Sequence, residues 1–189
     1  MKSAFAIEID EQLVRRAQAG DRRAFRSIYL AFSAPAYSLA LRMTRSETLA
    51  EEILQEGMLL IFRRIDQFRF ESPFWGWVRR LFINTTISAL RNRSRDNKVI
   101  SFEDQLQEMA RDNGNEALGD IERALKKLPQ KRRTVVWLYA VEGFTHPEIA
   151  EMLGTTVSDS KIQLFRAREQ LKKWWSPDSE TKTDMAVPL

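Results

Sequence analysis

Cysteine is absent from this chain of 189 residues, and histidine occurs once, as His146. Without thiols there are no disulfides, thiolate zinc sites or iron–sulfur clusters, and a lone imidazole leaves no pair from which to build a common metal or acid–base site. These two absences remove most familiar enzyme classes, and no cofactor or metal is expected. Long hydrophobic runs are missing too. The longest apolar stretch, Thr134 to Val141, falls far short of the ~20 residues a membrane helix needs, and the opening residues Met1 to Glu8 hold no apolar signal-peptide region. The expectation is a cytoplasmic protein with no membrane insertion. Sustained apolar–polar alternation, the mark of strands, is also lacking.

What is present is 43% hydrophobic residues, enough for packed cores, and 30% charged residues with a formal net charge of +4. That charge is uneven. Arg79, Arg80, Arg91, Arg93, Arg95 and Lys98 face only Asp96, and Lys161 to Lys173 holds five bases against Glu169 alone. Between them, Glu103, Asp104, Glu108, Asp112 and Glu116 face Arg111. Two basic segments flanking an acidic connector suggest two polyanion-binding modules on a tether. Solvated helix faces remain the competing reading of either segment.

Turn formers cluster at Arg91 to Asn97 and at Asp112 to Asn115, which marks a linker. Before it, Leu13, Val14 and Ala17, then Phe25, Ile28, Tyr29 and Phe32, then Tyr37 and Leu41, then Leu49, Ile53 and Leu60 recur at helical spacing, with breaks expected at Gly20-Asp21 and Pro35. After it, Ile121, Leu125 and Leu128 form one helix ending at Pro129, and Val135, Leu138 and Tyr139 lie on another ending at Gly143. The fold class is all-α: two small helical domains, 10–95 and 117–175, joined by a flexible acidic linker, 96–116, with a tail at 176–189.

In the second domain Thr145 is an N-cap with Glu148 as its capping-box partner, and Phe144 and Ile149 form a hydrophobic staple. The short helix they open ends at Gly154, suited to a left-handed C-cap, and Thr156-Val157-Ser158-Asp159 offers a second start. This is a helix-turn-helix. Its second helix carries Val157, Leu164, Ala167 and Leu171 on one stripe and leaves Lys161, Gln163, Arg166 and Arg168 to face outward. A structural hairpin needs the same caps, and the base-rich second helix is what favours DNA. His146 is taken as a helix-start residue without chemistry.

In the first domain, Leu49 to Arg64 is a helix with acids early and bases late, and its second half is apolar almost all round. It either lends one side to a partner or is a core helix with a solvated acidic edge at Glu52, Gln55 and Glu56. Phe68 to Arg80 then crowds aromatics around Pro73 and Gly76 ahead of a basic helix. Such a surface suits unpaired bases, which stack on aromatic rings for about 1–3 kcal/mol each. Phe74 and Trp77 read as core with Leu81, whereas Phe70 and Trp75 suit either role.

With these residues laid out, the chain resembles the extracytoplasmic-function sigma factors over about Leu13 to Leu171, the linker excepted. Glu51 to Glu56 resembles the family's acidic polymerase-binding helix, and Phe68-Arg69 through Trp77 and Arg80 to Asn84 its promoter-melting segment. Leu128-Pro129, Arg133, Glu142-Gly143, Glu148-Ile149-Ala150, Leu153-Gly154 and Arg166-Ala167-Arg168 resemble its carboxy-terminal domain. The resemblance implies that Glu52, Gln55, Glu56 and Phe62 dock on core RNA polymerase. It implies that Phe70, Trp75, Trp77, Arg80, Asn84 and Arg91 receive the opened promoter strand. Ser158, Lys161, Gln163, Arg166 and Arg168 would then contact the upstream promoter element, and an anti-sigma factor is an expected further partner. In this sequence Phe70 and Pro73 stand where the family often has glycine and a small residue, Ser160 replaces an expected apolar residue, and Gln163 replaces an expected arginine. The implied function is recognition and opening of promoter DNA as a polymerase subunit. A conventional helix-turn-helix regulator that works without joining polymerase is the alternative, and a nucleic-acid-processing enzyme would need a carboxylate cluster or base that the sequence does not place.

Overall fold

The computed structural model describes residues 4–96, 124–125 and 127–175, apart from the side chains of residues 94–96 and 175. The expected tail lies outside the described residues, as does the expected linker beyond Asp96. The chain divides into two compact units, Met1–Asp112 and Asn113–Leu189. Among the described residues all regular structure is helical.

In the first unit, α1 (Glu11–Gln18), α2 (Arg22–Thr44), α3 (Glu47–Arg64), a 3-10 turn (Ile65–Gln67) and α4 (Phe74–Asp96) follow one another. Side chains that accept free N–H groups set the starts of three of them. Asp10 accepts from Gln12 N at 2.8 Å, Asp21 from Arg23 N at 2.8 Å and Ala24 N at 3.2 Å, and Ser46 from Leu49 N at 3.3 Å. The break expected at Pro35 does not occur, because α2 runs through it unbroken. Pro35 cannot donate to the preceding turn, but Phe32 and Ala36 on either side of it are fully buried, and their packing holds the helix across the missing bond.

The core of this unit lies between α2, α3 and α4, where Ile28, Phe32, Met43, Ile53, Ile61, Val78, Phe82 and Ile83 are buried. Phe5, ahead of α1, closes it from one side: its ring lies 6.3 Å from Phe32 and 6.1 Å from Phe82. Gly57 lets α3 approach α4, since a Cβ there would fall inside contact distance of the Phe82 ring. Two threonines inside α4 are silenced locally, Thr85 donating to Leu81 O and Thr86 to Phe82 O.

The second unit begins, among the described residues, with helical residues 124–125 and a turn to Leu128, after which Pro129 leads into α5 (Gln130–Val136). A π-helical turn, Trp137–Val141, extends α5 and buries Trp137 and Leu138. Gly143, at φ 74°, reverses the chain into α6 (His146–Leu153) and then α7 (Val157–Trp175). The capping box forms as expected, Thr145 N donating to Glu148 Oε2 at 2.8 Å. Gly154 stands in the left-handed region at φ 60°, its N–H bonded to Glu151 O and that of Thr155 to Ala150 O, the bond pattern of a Schellman cap. Helix, tight turn and helix are thus all in place.

Candidate partner and nucleic-acid interfaces

On α3, Glu52, Gln55 and Glu56 are exposed, and the same side continues through Leu59 and Phe62, 54% and 56% exposed. The face carries carboxylates at one end and large apolar side chains at the other. Phe62 is fixed edge-on against Phe25 of α2 at 5.0 Å, and Tyr29, one turn further along α2, is also exposed. Leu59 was not among the residues singled out from sequence. Its spacing of three and seven from Glu56 and Glu52 would have placed it on that face.

The aromatic segment after α3 is a graded cluster and not a uniform exposed platform. Phe68 and Phe74 are buried, while Phe70, Trp75 and Trp77 are half-buried. Phe68 is the hub, with ring centres of Phe70 at 4.9 Å, Phe74 at 5.1 Å and Trp77 at 5.7 Å. Phe74 joins this cluster to the core through Phe32 at 6.0 Å. Trp75 stands apart from these rings, with the Arg79 guanidinium 5.4 Å from its centre. Phe70 has φ 61°, the left-handed region that glycine tolerates best, and its ring is held between Phe68 and the Arg15 guanidinium at 4.3 Å. Exposed Arg80, Asn84 and Arg91 continue from Trp77 along one side of α4. Of the residues expected to receive an opened strand, Phe70 lies on the loop after α3 and Trp77, Arg80, Asn84 and Arg91 on one stripe of α4, whereas Trp75, in the first turn of α4, points away from that stripe.

In the second unit, Ser158, Lys161, Arg166 and Arg168 are exposed on α7. Gln163 is half-buried and donates to Asp159 Oδ1 at 3.1 Å. Asp159 also accepts from Thr155 Oγ1 at 2.7 Å and pairs with Lys131 of α5 at 2.9 Å. These contacts, the Thr155 and Gln163 hydrogen bonds first, hold its carboxyl down at about 2, against an ordinary 3.8. Arg132 of α5 donates to Gln170 at 2.8 Å, so α5 grips α7 at two levels.

The expected apolar stripe is corrected at both ends: Leu164 and Ala167 are buried, but Leu171 is only half-buried and Val157 is 38% exposed, with Ser160 taking the buried place near the start of the helix. His146 Nδ1 lies 3.0 Å from Ser160 Oγ, and its ring stacks on Tyr139 at 4.7 Å. The histidine left without a role in the sequence thus partners Ser160, a fully buried polar residue of α7. Burial, with Lys161 and Arg168 nearby, pushes its pKa below the ordinary 6.5. Sequence reasoning also passed over Ile162 and Phe165, 47% and 66% exposed amid the bases of α7.

A helical unit with an aromatic–basic surface and a second unit with a capped helix-turn-helix and a basic outer helix define a nucleic-acid-binding protein of two heads. The comparisons narrow this class. The family profile "Sigma-70 region 2" matches residues 28–96, and "Sigma-70, region 4" matches residues 118–171. The RNA polymerase sigma-H factor of Pseudomonas aeruginosa is 30% identical, the match covering 90% of this chain and 95% of that one. The ECF RNA polymerase sigma-E factor of Haemophilus influenzae is 27% identical, over 89% of this chain and 96% of that one. The chain belongs to the sigma-70 family, as a sigma factor of the extracytoplasmic-function type. Solved structures share the fold. CnrH, in complex with the cytosolic domain of CnrY, is 24% identical with a TM-score of 0.53 over 90% of this chain and 99% of that one. RpoE of Bartonella quintana, in complex with the anti-sigma factor NepR, is 20% identical with a TM-score of 0.55 over 82% of this chain and 98% of that one.

Proposed function

We propose that this sigma factor binds core RNA polymerase through the α3 face of Glu52, Gln55, Glu56, Leu59 and Phe62. It receives the opened promoter strand on Phe70, Trp75, Trp77, Arg80, Asn84 and Arg91, and seats α7 in the major groove of an upstream element through Ser158, Lys161, Arg166 and Arg168. The observation that carries this reading is the pairing of half-exposed aromatics with the basic stripe of α4 in one unit, while the other holds a helix-turn-helix. A duplex-reading module alone has no use for the aromatic surface. Stacking of flipped bases offsets part of the few kcal/mol spent in unstacking, and phosphate contacts set register. Gln163 reads a base only by leaving Asp159, so its contribution to specificity is smaller than its residue type suggests.

The polymerase supplies nucleotidyl transfer, and this chain contributes differential binding without a catalytic group. It works in the cytoplasm alongside that enzyme. Among the described residues no helix is long and apolar enough to cross a membrane. An anti-sigma factor that covers one or both units is the natural inhibitor, by analogy with the complex solved for the Bartonella protein. Purified core polymerase, a promoter library and this protein form the test. Sequence-dependent transcripts that appear only on adding the protein support the reading, whereas specific duplex binding with no polymerase association would assign it to conventional regulators.

A further inference from the structure

Ahead of α1, Phe5 to Asp10 forms a short strap without regular structure, in which apolar and polar residues alternate. Phe5 is buried, Ile7 and Ile9 are half-buried, and Ala6, Glu8 and Asp10 are exposed, so one side of the strap faces the helices and the other faces water. Asp10 joins it to α1 by accepting from Gln12 N. The strap lies outside residues 28–96, which the region 2 profile matches. Yet Phe5, only 1% exposed, is as much a part of the core as the rings of α2 and α4 that it meets.

The loop between α3 and α4 is where that packing has its consequence. Residues 68–73 hold no regular structure, so the loop stands where its two ends are held. Those ends are Phe68 and Phe74, whose rings meet at 5.1 Å. Phe74 opens α4 and stacks on Trp77, one turn along, at 5.7 Å and 26°. Its ring also rests edge-on against Phe32 of α2, at 6.0 Å and 66°. Phe5 in turn stacks on Phe32 at 6.3 Å and 19°. Two rings, Phe32 and Phe74, therefore connect the strap to Trp77, and the same two connect it to Phe68. Side chains packed at interior density pass on a displacement because there is little free volume to absorb it. Without the Phe5 ring, Phe32 has a cavity to turn into, Phe74 loses the support of its edge, and the first turn of α4 moves with it.

We infer that Phe5 is a positioning residue for the strand-receiving loop: acting through Phe32 and Phe74, it sets where the Phe68 hub, and with it Phe70 and Trp77, stand when the promoter opens. The inference rests on the melted-strand reading of that loop and adds to it a residue that belongs to neither the loop nor α4. The gain is preorganisation, since rings already held in place lose less freedom on taking up bases.

The test uses the full chain, grown with 5-fluorotryptophan so that each of its five tryptophans gives a fluorine resonance. Phe5→Leu keeps much of the apolar volume and loses the flat ring, whereas Phe5→Ala loses both and leaves a cavity. In both variants the Trp77 resonance shifts or broadens, while those of Trp137 and Trp174 in the second unit stay in place. With core polymerase, on a promoter recovered from the library, permanganate reactivity of unpaired thymines falls about three- to tenfold and closed-duplex affinity is unchanged. Met43→Val controls for lost stability: it removes buried volume about 16 Å along α2 from Phe32, and it leaves the Trp77 resonance and strand opening as in wild type. If Phe5→Ala fails to fold, Phe5→Leu carries the test. A wild-type Trp77 resonance in Phe5→Leu overturns the proposal, and so does an equal loss of opening in Met43→Val at matched stability. It is overturned too if Trp77→Ala impairs opening and Phe5→Leu, despite a displaced resonance, does not. If the resonance moves and Trp77→Ala itself opens the promoter normally, Phe5 places the loop and the melted-strand reading is what fails.

Discussion

At Gly57 the first unit has no room for a side chain. A methyl group there would meet the Phe82 ring well inside contact distance, so Gly57→Ala forces α3 and α4 apart or drives Phe82 off its rotamer. Overpacking of this kind costs about 1–3 kcal/mol, and chemical denaturation should show a loss of that size. Phe82→Leu in the same chain should recover part of it, and strict additivity of the two changes would show that the clash is not the cause. Phe70 poses the opposite problem, a large side chain on a backbone that favours none. Phe70→Ala loses the ring contacts with Phe68 and Arg15 yet keeps the strained φ, whereas Phe70→Gly loses the contacts and relieves the strain. Glycine should therefore be the more stable of the two variants by about 1 kcal/mol, and equal stabilities would mean that the left-handed conformation is unstrained. Neither site could be read locally. Gly57 looks like a defect in a helix until Phe82 is placed opposite it, and Phe70, although noted as standing where a glycine was expected, shows its strain only once its φ is known.

Among the elements, α7 shows most clearly where sequence reasoning reached and where it stopped. Its start, its buried Leu164 and Ala167 and its exposed bases follow from caps and periodicity, which are local properties. The Asp159 network does not, because Lys131 comes from α5 and meets it only through packing. Ser160 was read as a weakness in the apolar stripe, and its partner His146 lies on α6. Asp159 makes the element sensitive to acid with a definite sign. Its folded pKa of about 2 lies below the ordinary 3.8, so its contribution to stability is complete above the ordinary value and is lost as pH falls through the folded one. Asp159→Asn should cost about 1 kcal/mol at neutral pH, discounted for the partial exposure of the pair, and should cost nothing once pH is below the folded value. Thermal unfolding of wild type and variant between neutral pH and the acid limit will show two curves that converge on acidification. Curves separated by the same interval throughout would mean that the carboxylate charge is irrelevant.

At the scale of the whole molecule, the all-helical class and the order of the two regions were legible, because helix periodicity and turn chemistry are written along the chain. The apolar parts of the surfaces were less so. Whether Leu59, Ile162 or Phe165 is core or surface depends on which neighbours cover it, and those neighbours come from other helices. Two units with different surfaces invite a test of whether they carry different steps. Trp75 stands apart from the aromatic cluster with Arg79 over its ring, so its replacement removes a stacking surface and leaves that cluster intact. Trp75→Ala in the reconstituted holoenzyme should lower strand opening by the equivalent of about 1–3 kcal/mol while leaving closed-duplex affinity nearly unchanged. Arg166 is exposed on the basic side of α7, so Arg166→Ala should weaken duplex binding and reduce the salt slope by about one, with strand opening impaired only in proportion to occupancy. Permanganate reactivity of unpaired thymines and duplex titrations over salt, run on both variants, measure the two steps separately. If each variant impairs both steps to the same degree, binding and opening are not divided between the units, and the two surfaces act as one.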